Sequence, residues 1–344
     1  MRSLASTFFC RALGLVALGL GTVHAADLIV SAQDGKFVRV DGVATFPESP
    51  PRASVVVLDA SRFPPVVKAT VDVGLEHSVQ GPPQAVAITP DGKLAIVGAP
   101  TRYDYVARKE LFDTFLQVVD LEASPPALIA KVDVGGHPNG LSINREGTLL
   151  LAAAHDGTVK VLTIEGKTLK LVSSVKIGEK RMSGVSFTHD GKAAIVALRD
   201  EQGASVLSVD GTHVALTKER ISTGVNPYAI DISSDGRWAV IGNTGTSRTV
   251  DDADVVTLVD VSKRPFRAVQ QISVSATPEG VAISPDGRWI AVSSMAGSNL
   301  TVNDPGRRKV GTVALFEIRD GKLVDTSERI KLAAGPVSIR SMPR

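Results

Sequence analysis

Cysteine is almost missing from this sequence. One occurs in 344 residues, and Cys10 precedes the apolar run Ala12–Val23 at the N-terminus. A chain with a single thiol there has no internal disulfide, no cysteine metal cluster and no CxxCH haem attachment. Its core alone must hold it. An excess of one charge is missing too. Lys and Arg total 38 and Asp and Glu 36, a formal net charge of +2, which argues against a nucleic-acid binder driven by bulk charge. After the N-terminal run, no stretch is long and apolar enough to cross a membrane as a helix. No segment carries a convincing helical period either. These absences leave an all-β chain.

The N-terminus explains where the cysteine sits. Arg2 and Arg11 precede a short apolar stretch, and "VHA" places small residues at the –3 and –1 positions before Ala26. This is the pattern of a secretory signal over residues 1–25. The expectation is a periplasmic or secreted protein with one domain, residues 26–344, and no membrane insertion after cleavage. Loss of Arg2 and Arg11 leaves 36 basic and 36 acidic residues.

What the sequence does contain is a repeat. "TPEGVAISPDGRWIAVSS" (277–294) alternates apolar and polar residues on either side of a Pro-Asp-Gly turn, which is a β-hairpin pattern. Related stretches run over 82–99, 137–154, 181–198 and 226–243. The turn glycine recurs as Gly92, Gly147, Gly191, Gly236 and Gly287. Each hairpin is followed by two more strand-like runs, for example "VVTLVDV" and "QISVS" after the fourth copy. Units of four antiparallel strands at this period predict a single β-propeller. The N-terminal unit, "DLIVSA", "SVVVLDA" and "VVKATVDVG", lacks a first strand. The C-terminal "GPVSIRS" (335–341) is a first strand with nothing after it. The two termini are therefore expected to share one blade. Counting third and fourth strands favours six blades; "KFVRV" (36–40) leaves seven open.

The repeat resembles the YVTN-repeat and lactonase-like bacterial propellers, whose blades begin with P-x-G-V-A-x-S-P-D-G. The signature tetrapeptide itself is absent; the corresponding strands read "AIVGA", "LLLAA" and "IAVSS". The resemblance implies the fold but not one function, because such propellers include enzymes, electron-transfer subunits and scaffolds. "HPNGLSINREG" (137–147) also resembles the N-G-L strand of six-bladed gluconolactonase-type hydrolases, in which the Asn helps to hold a divalent metal. Asn139 is the matching position. Those enzymes need carboxylates on other first strands, and here only Glu279 offers one. Two oxygen ligands are too few for a closed metal site, so no metal and no cofactor are expected.

In a propeller the residue before each first strand faces the channel mouth on the top face. These residues are Gln84, Asn139, Ser183, Tyr228, Glu279 and Val337, a polar but mixed ring. Blades five, six, one and two carry long second-to-third loops on that face, and such loops are frequent sites of function. In "RYDYVARKELFD", Arg102, Tyr103 and Tyr105 suit recognition of a ligand or protein; packing onto the rim, as a short helix, is the other reading. His137 and His155 lie near the mouth. Two charged segments, "DDAD" (251–254) and "GRRK" (306–309), read as solvated spots. Asp231 replaces a small residue in an inner strand, and a carboxylate there must be hydrogen-bonded or neutralised; a network between blades is expected. The leading expectation is a monomeric binding or scaffold module acting on an unidentified protein or small-molecule ligand through its top face. The alternatives are a lactonase-like hydrolase and an electron-transfer partner.

Overall fold

The computed structural model describes residues 27–33, 38–40, 43–46, 54–71, 84–245, 254–275, 277–294, 311–331 and 336–343. The signal segment, His77, "GRRK" and all of "DDAD" but Asp254 lie outside these residues, as does the side chain of Val337.

Among the described residues are six four-stranded antiparallel sheets, the blades of a six-bladed β-propeller. The inner strands are Val86–Ile88, Pro138–Ile143, Val185–Phe187, Pro227–Ile232 and Pro278–Ile283 in blades two to six, and Pro336–Ser341 in blade one. Blade one is shared as the sequence implies. Pro336–Ser341 pairs with Leu28–Gln33, Ile29 opposite Ser341 and Ser31 opposite Ile339, and Ser31 Oγ donates to the Ser338 carbonyl at 2.7 Å. The segment that left a seventh blade open instead forms a two-stranded hairpin, Val38–Val40 with Val43–Thr45, inserted between strands of blade one.

Four of the first-to-second turns are built from the same few groups, and in blade three Asn144 takes the place of the Ser or Thr. Thr89 Oγ1 donates to Asp91 Oδ1 at 2.6 Å, and the same oxygen accepts from the Lys93 amide. Ser/Thr and Asp repeat this at 188–192, 233–237 and 284–288. The glycine between Asp and the next strand has φ from +66° to +72°, a region costly for other residues.

The core is divided rather than central. Among the described residues, six clusters of buried apolar side chains each lie between two neighbouring blades. Ile96, Leu141, Leu150 and Leu162 fill the seam of blades two and three. Ile195, Ile230 and Ile241 fill that of blades four and five. Full burial of such a side chain stabilises by about 1.5–3 kcal/mol, so losing one strand opens two seams. The outermost pairing of every blade carries a register irregularity, for example between Val118 and Val119 or Leu258 and Val259. A bulged edge is a poor template for pairing with another chain.

Around the axis the inner strands nearly touch. The Leu141 amide donates to the Gln84 carbonyl at 2.9 Å, and the Gly184 amide to the Tyr228 carbonyl at 2.7 Å. Glycine makes this approach possible: a Cβ added at Gly140 would lie 2.1 Å from the Ser183 carbonyl oxygen.

Candidate functional site

Aligned positions of the inner strands fall into two rows. The upper row, among the described side chains, is Gln84, Asn139, Ser183, Tyr228 and Glu279. Alignment of the inner strands gives a lower row of Ala87, Ser142, Ser186, Asp231, Ala282 and Arg340. Between the rows the channel is closed. Gln84 crosses from blade two to the opposite blade five and donates through Nε2 to the Ile230 carbonyl. Arg340 reaches the same carbonyl from below, Nη1 donating at 2.7 Å. Its Nη2 donates to Ser142 Oγ at 2.8 Å and Ser186 Oγ at 3.1 Å. Asp231 Oδ1 stands 3.4 Å from Arg340 Nη1, while its Oδ2 accepts from the Ile283 amide and Ser341 Oγ. Both side chains are buried, at 7% and 5% exposure. Burial pulls the Arg340 guanidinium below the usual arginine range, and Asp231 opposes that. The network ties together blades one, three, four, five and six, as Asp231 alone led one to expect.

The upper row is sunk, not splayed. Gln84, Asn139, Ser183 and Glu279 are buried. Asn139 Nδ2 donates to the Met182 carbonyl at 3.2 Å. Asn139 and Glu279 belong to blades three and six, on opposite sides of the ring. Tyr228 is partly exposed; burial, then the Glu279 charge, raises its phenol above the ordinary range.

Above the row, over blades two to five, part-exposed groups gather. The "RYDYVARKELFD" segment is a β-hairpin, Thr101–Asp104 with Lys109–Phe112, not a helix. Arg102 braces its base with a two-point ion pair to Asp113 at 2.7 and 2.8 Å. Tyr103 stacks on Phe46 at 3.9 Å, and Tyr105 meets Tyr103 edge-on at 5.0 Å. So part of the aromatic set packs on the rim, while Tyr105, Val106 and Phe112 stay exposed. Phe112 leans on His137 and His155, whose rings are 4.5 Å apart. His137 Nδ1 donates to the Asp113 carbonyl at 2.9 Å, which leaves Nε2 as the acceptor. Burial lowers the pKa of His137. Burial, then His137 and Arg199, push His155 down to about 3. Both imidazoles are neutral at pH 7.

Sequence reasoning missed Arg199. Its guanidinium lies 5.1 Å over the Tyr228 ring. Nη1 is 3.5 Å from Asp200 Oδ1, but Asp200 also pairs with Arg181 at 3.3 Å, so two cations share one acid. Arg199 Nε is buried without a hydrogen-bond partner. The available signal was its place in "LRDEQG", directly after an inner-to-second-strand hairpin on the top face. Chemically the cluster offers a fixed cation, an aromatic face and two neutral imidazoles. Among the described residues no three His, Cys, Asp or Glu side chains are grouped to hold a metal ion.

A family model for the WD domain, G-beta repeat, matches residues 131–162, the end of blade two and most of blade three. No curated protein matches the chain in sequence. Solved structures do resemble it. A functionally unknown protein from Desulfotomaculum acetoxidans is 12% identical, over 91% of this chain and 83% of that one, with a TM-score of 0.58. A "putative 6-phosphogluconolactonase" from Bacteroides fragilis is 13% identical, over 93% and 99%, with a TM-score of 0.61. One from Bacteroides uniformis is 11% identical, over 93% and 100%, with a TM-score of 0.60. At such identities the likeness is one of fold: the chain is a β-propeller, built of six blades.

Proposed function

We propose that this chain is an exported binding or scaffold module that works through its top face. The observation that carries the reading is the cluster of His155, Arg199 and Tyr228, drawn from blades three, four and five beside the exposed hairpin of blade two. Aromatic and arginine side chains in part-exposed positions are the usual anchors of recognition. The Gln84–Arg340 closure beneath makes that face a floor, not the entrance of a pore. Export rests on the signal pattern of residues 1–25. The partner is a protein or a small molecule, bound by a monomer in the periplasm or outside the cell.

The test is affinity capture from periplasmic extract with the mature chain as bait. Exchange of Tyr103–Lys109 for a Gly-Ser linker, and Arg199→Gln, are expected to lose the captured partner. Lys93→Ala, Lys192→Ala and Arg237→Ala on the turn face are expected to keep it. The opposite pattern overturns the assignment.

A second reading, hydrolysis of a lactone, is favoured by the names of the two Bacteroides neighbours. Asn139 and Glu279 would have to act across the full width of the ring. A lactonase activity lost in Asn139→Ala and Glu279→Ala, with folding intact, would replace the binding reading.

A further inference from the structure

Below the closure, the lower row opens toward the first-to-second turns as a cavity of about 60 Å³. Ser142, Ser186, Asp231, Arg340 and Ser341 bound it, and Arg145 and His189 stand at its rim. The first five are all at least nine-tenths buried.

Hydrogen-bond donors outnumber acceptors here. Ser142 Oγ accepts twice, from the Phe187 amide at 3.1 Å and from Arg340 Nη2, and its own O–H has no acceptor among the described residues. Ser186 Oγ accepts from Arg340 Nη2, and its O–H is in the same position. Arg340 spends its two terminal nitrogens on Ile230, Ser142 and Ser186, which leaves Nε–H. His189 Nε2 faces Arg145 Nη1 at 3.1 Å. A guanidinium only donates, so Nε2 accepts and the proton sits on Nδ1, which is buried without a partner. Among the described residues the one acid on the wall is already engaged: Asp231 accepts from Ile232, Ile283 and Ser341 and faces Arg340. Asp231 offsets the charge of Arg340, and Arg145 adds a positive charge at the rim. Glu146 beside it is held by Asn144 Nδ2 at 3.0 Å.

A water molecule would accept from these donors, but it brings two hydrogens of its own. For those the five buried side chains keep only the second lone pair of Ser186 Oγ and those of Ser341 Oγ, fewer than the donors left to satisfy. A halide-sized anion accepts several donors and brings none. We propose that the cavity is a binding site for a small inorganic monoanion of the halide class, held by the Ser142 and Ser186 hydroxyls and Arg340 Nε–H. His189 and Arg145 line its entry. The site lies on the face opposite the one assigned to partner binding and is independent of that assignment.

The experiment uses the mature chain. Crystals grown in sodium bromide should show one anomalous peak within hydrogen-bond distance of Ser142 and Ser186 Oγ. In solution the melting temperature should rise saturably with chloride or bromide, but not with methanesulfonate at equal ionic strength. Ser186→Ala keeps the Arg340 bonds to Ile230 and Ser142 and should weaken the halide effect about tenfold, the loss of one hydrogen bond to a charged group. His189→Gln, at the rim, is a second variant that leaves the core intact and should weaken it less. A cavity peak without anomalous signal, binding at crystal concentration only, or identical halide dependence in both variants would overturn the proposal.

Discussion

Replacing Arg340 by methionine removes the charged half of the closure while keeping much of its volume. Four contacts go: the 2.7 Å bond to the Ile230 carbonyl, the bonds to Ser142 and Ser186 Oγ, and the ion pair with Asp231. Asp231, 5% exposed, is left as a buried carboxylate without a cation. Breaking a buried pair from one side costs about 3–5 kcal/mol. For a domain of this size about 2 °C accompanies each kcal/mol, so the melting temperature should fall by about 6–10 °C. Urea unfolding of wild type, Arg340→Met, Asp231→Leu and the double variant forms a thermodynamic cycle. The double variant should recover most of the loss, because an apolar pair of similar volume replaces a desolvated ionic one at little net cost. If Arg340→Met is within about 1 kcal/mol of wild type, the side chain is not the closure inferred from its contacts.

Three further outcomes follow from the same structure. The low pKa of His155 means that the unfolded chain takes up a proton near pH 6.5 and the folded chain only near pH 3, so stability is full above 6.5 and falls with pH between those values; His155→Gln should reduce the loss between pH 7 and 4.5 by about 1–2 kcal/mol, discounted for partial exposure. Gly140→Ala forces a Cβ onto the Ser183 carbonyl and should destabilise by about 1–3 kcal/mol, read by the urea midpoint. Deleting residues 335–344 removes the inner strand of blade one together with Arg340 and should give aggregated protein; a truncated chain that melts like the full one would contradict the shared blade.

The fold was legible because its determinants are local and repeated. Each turn needs a residue at positive φ, so Gly92, Gly147, Gly191, Gly236 and Gly287 mark the repeat whatever the rest of the blade does. The missing first strand at one end and the surplus one at the other specified the closure. Asp231 stood out as the charge in a column of small residues. Its partner did not, because Arg340 is 109 positions away and comes from the one strand without a hairpin to announce it; aligning "GPVSIRS" with the other inner strands puts it in the Asp231 column. Gln84, Asn139, Ser183 and Glu279 were read as mouth residues, but their burial was not legible. That burial follows from how closely Gly140, Gly184 and Gly280 let the inner strands approach, a distance no single strand encodes. Arg199 was passed over because nothing in a short turn reveals that its acid partner is shared with Arg181.

The top face, above the Gln84–Arg340 closure, is the proposed meeting place with a partner, and cross-linking mass spectrometry of the mature chain in periplasmic extract would locate the contact. Adducts should cluster on the Thr101–Phe112 hairpin and around Arg199 and Tyr228, and be lost when the hairpin segment is exchanged. Adducts concentrated on Lys93, Lys192 and the Pro-Asp-Gly turns, unaffected by that exchange, would contradict the proposal.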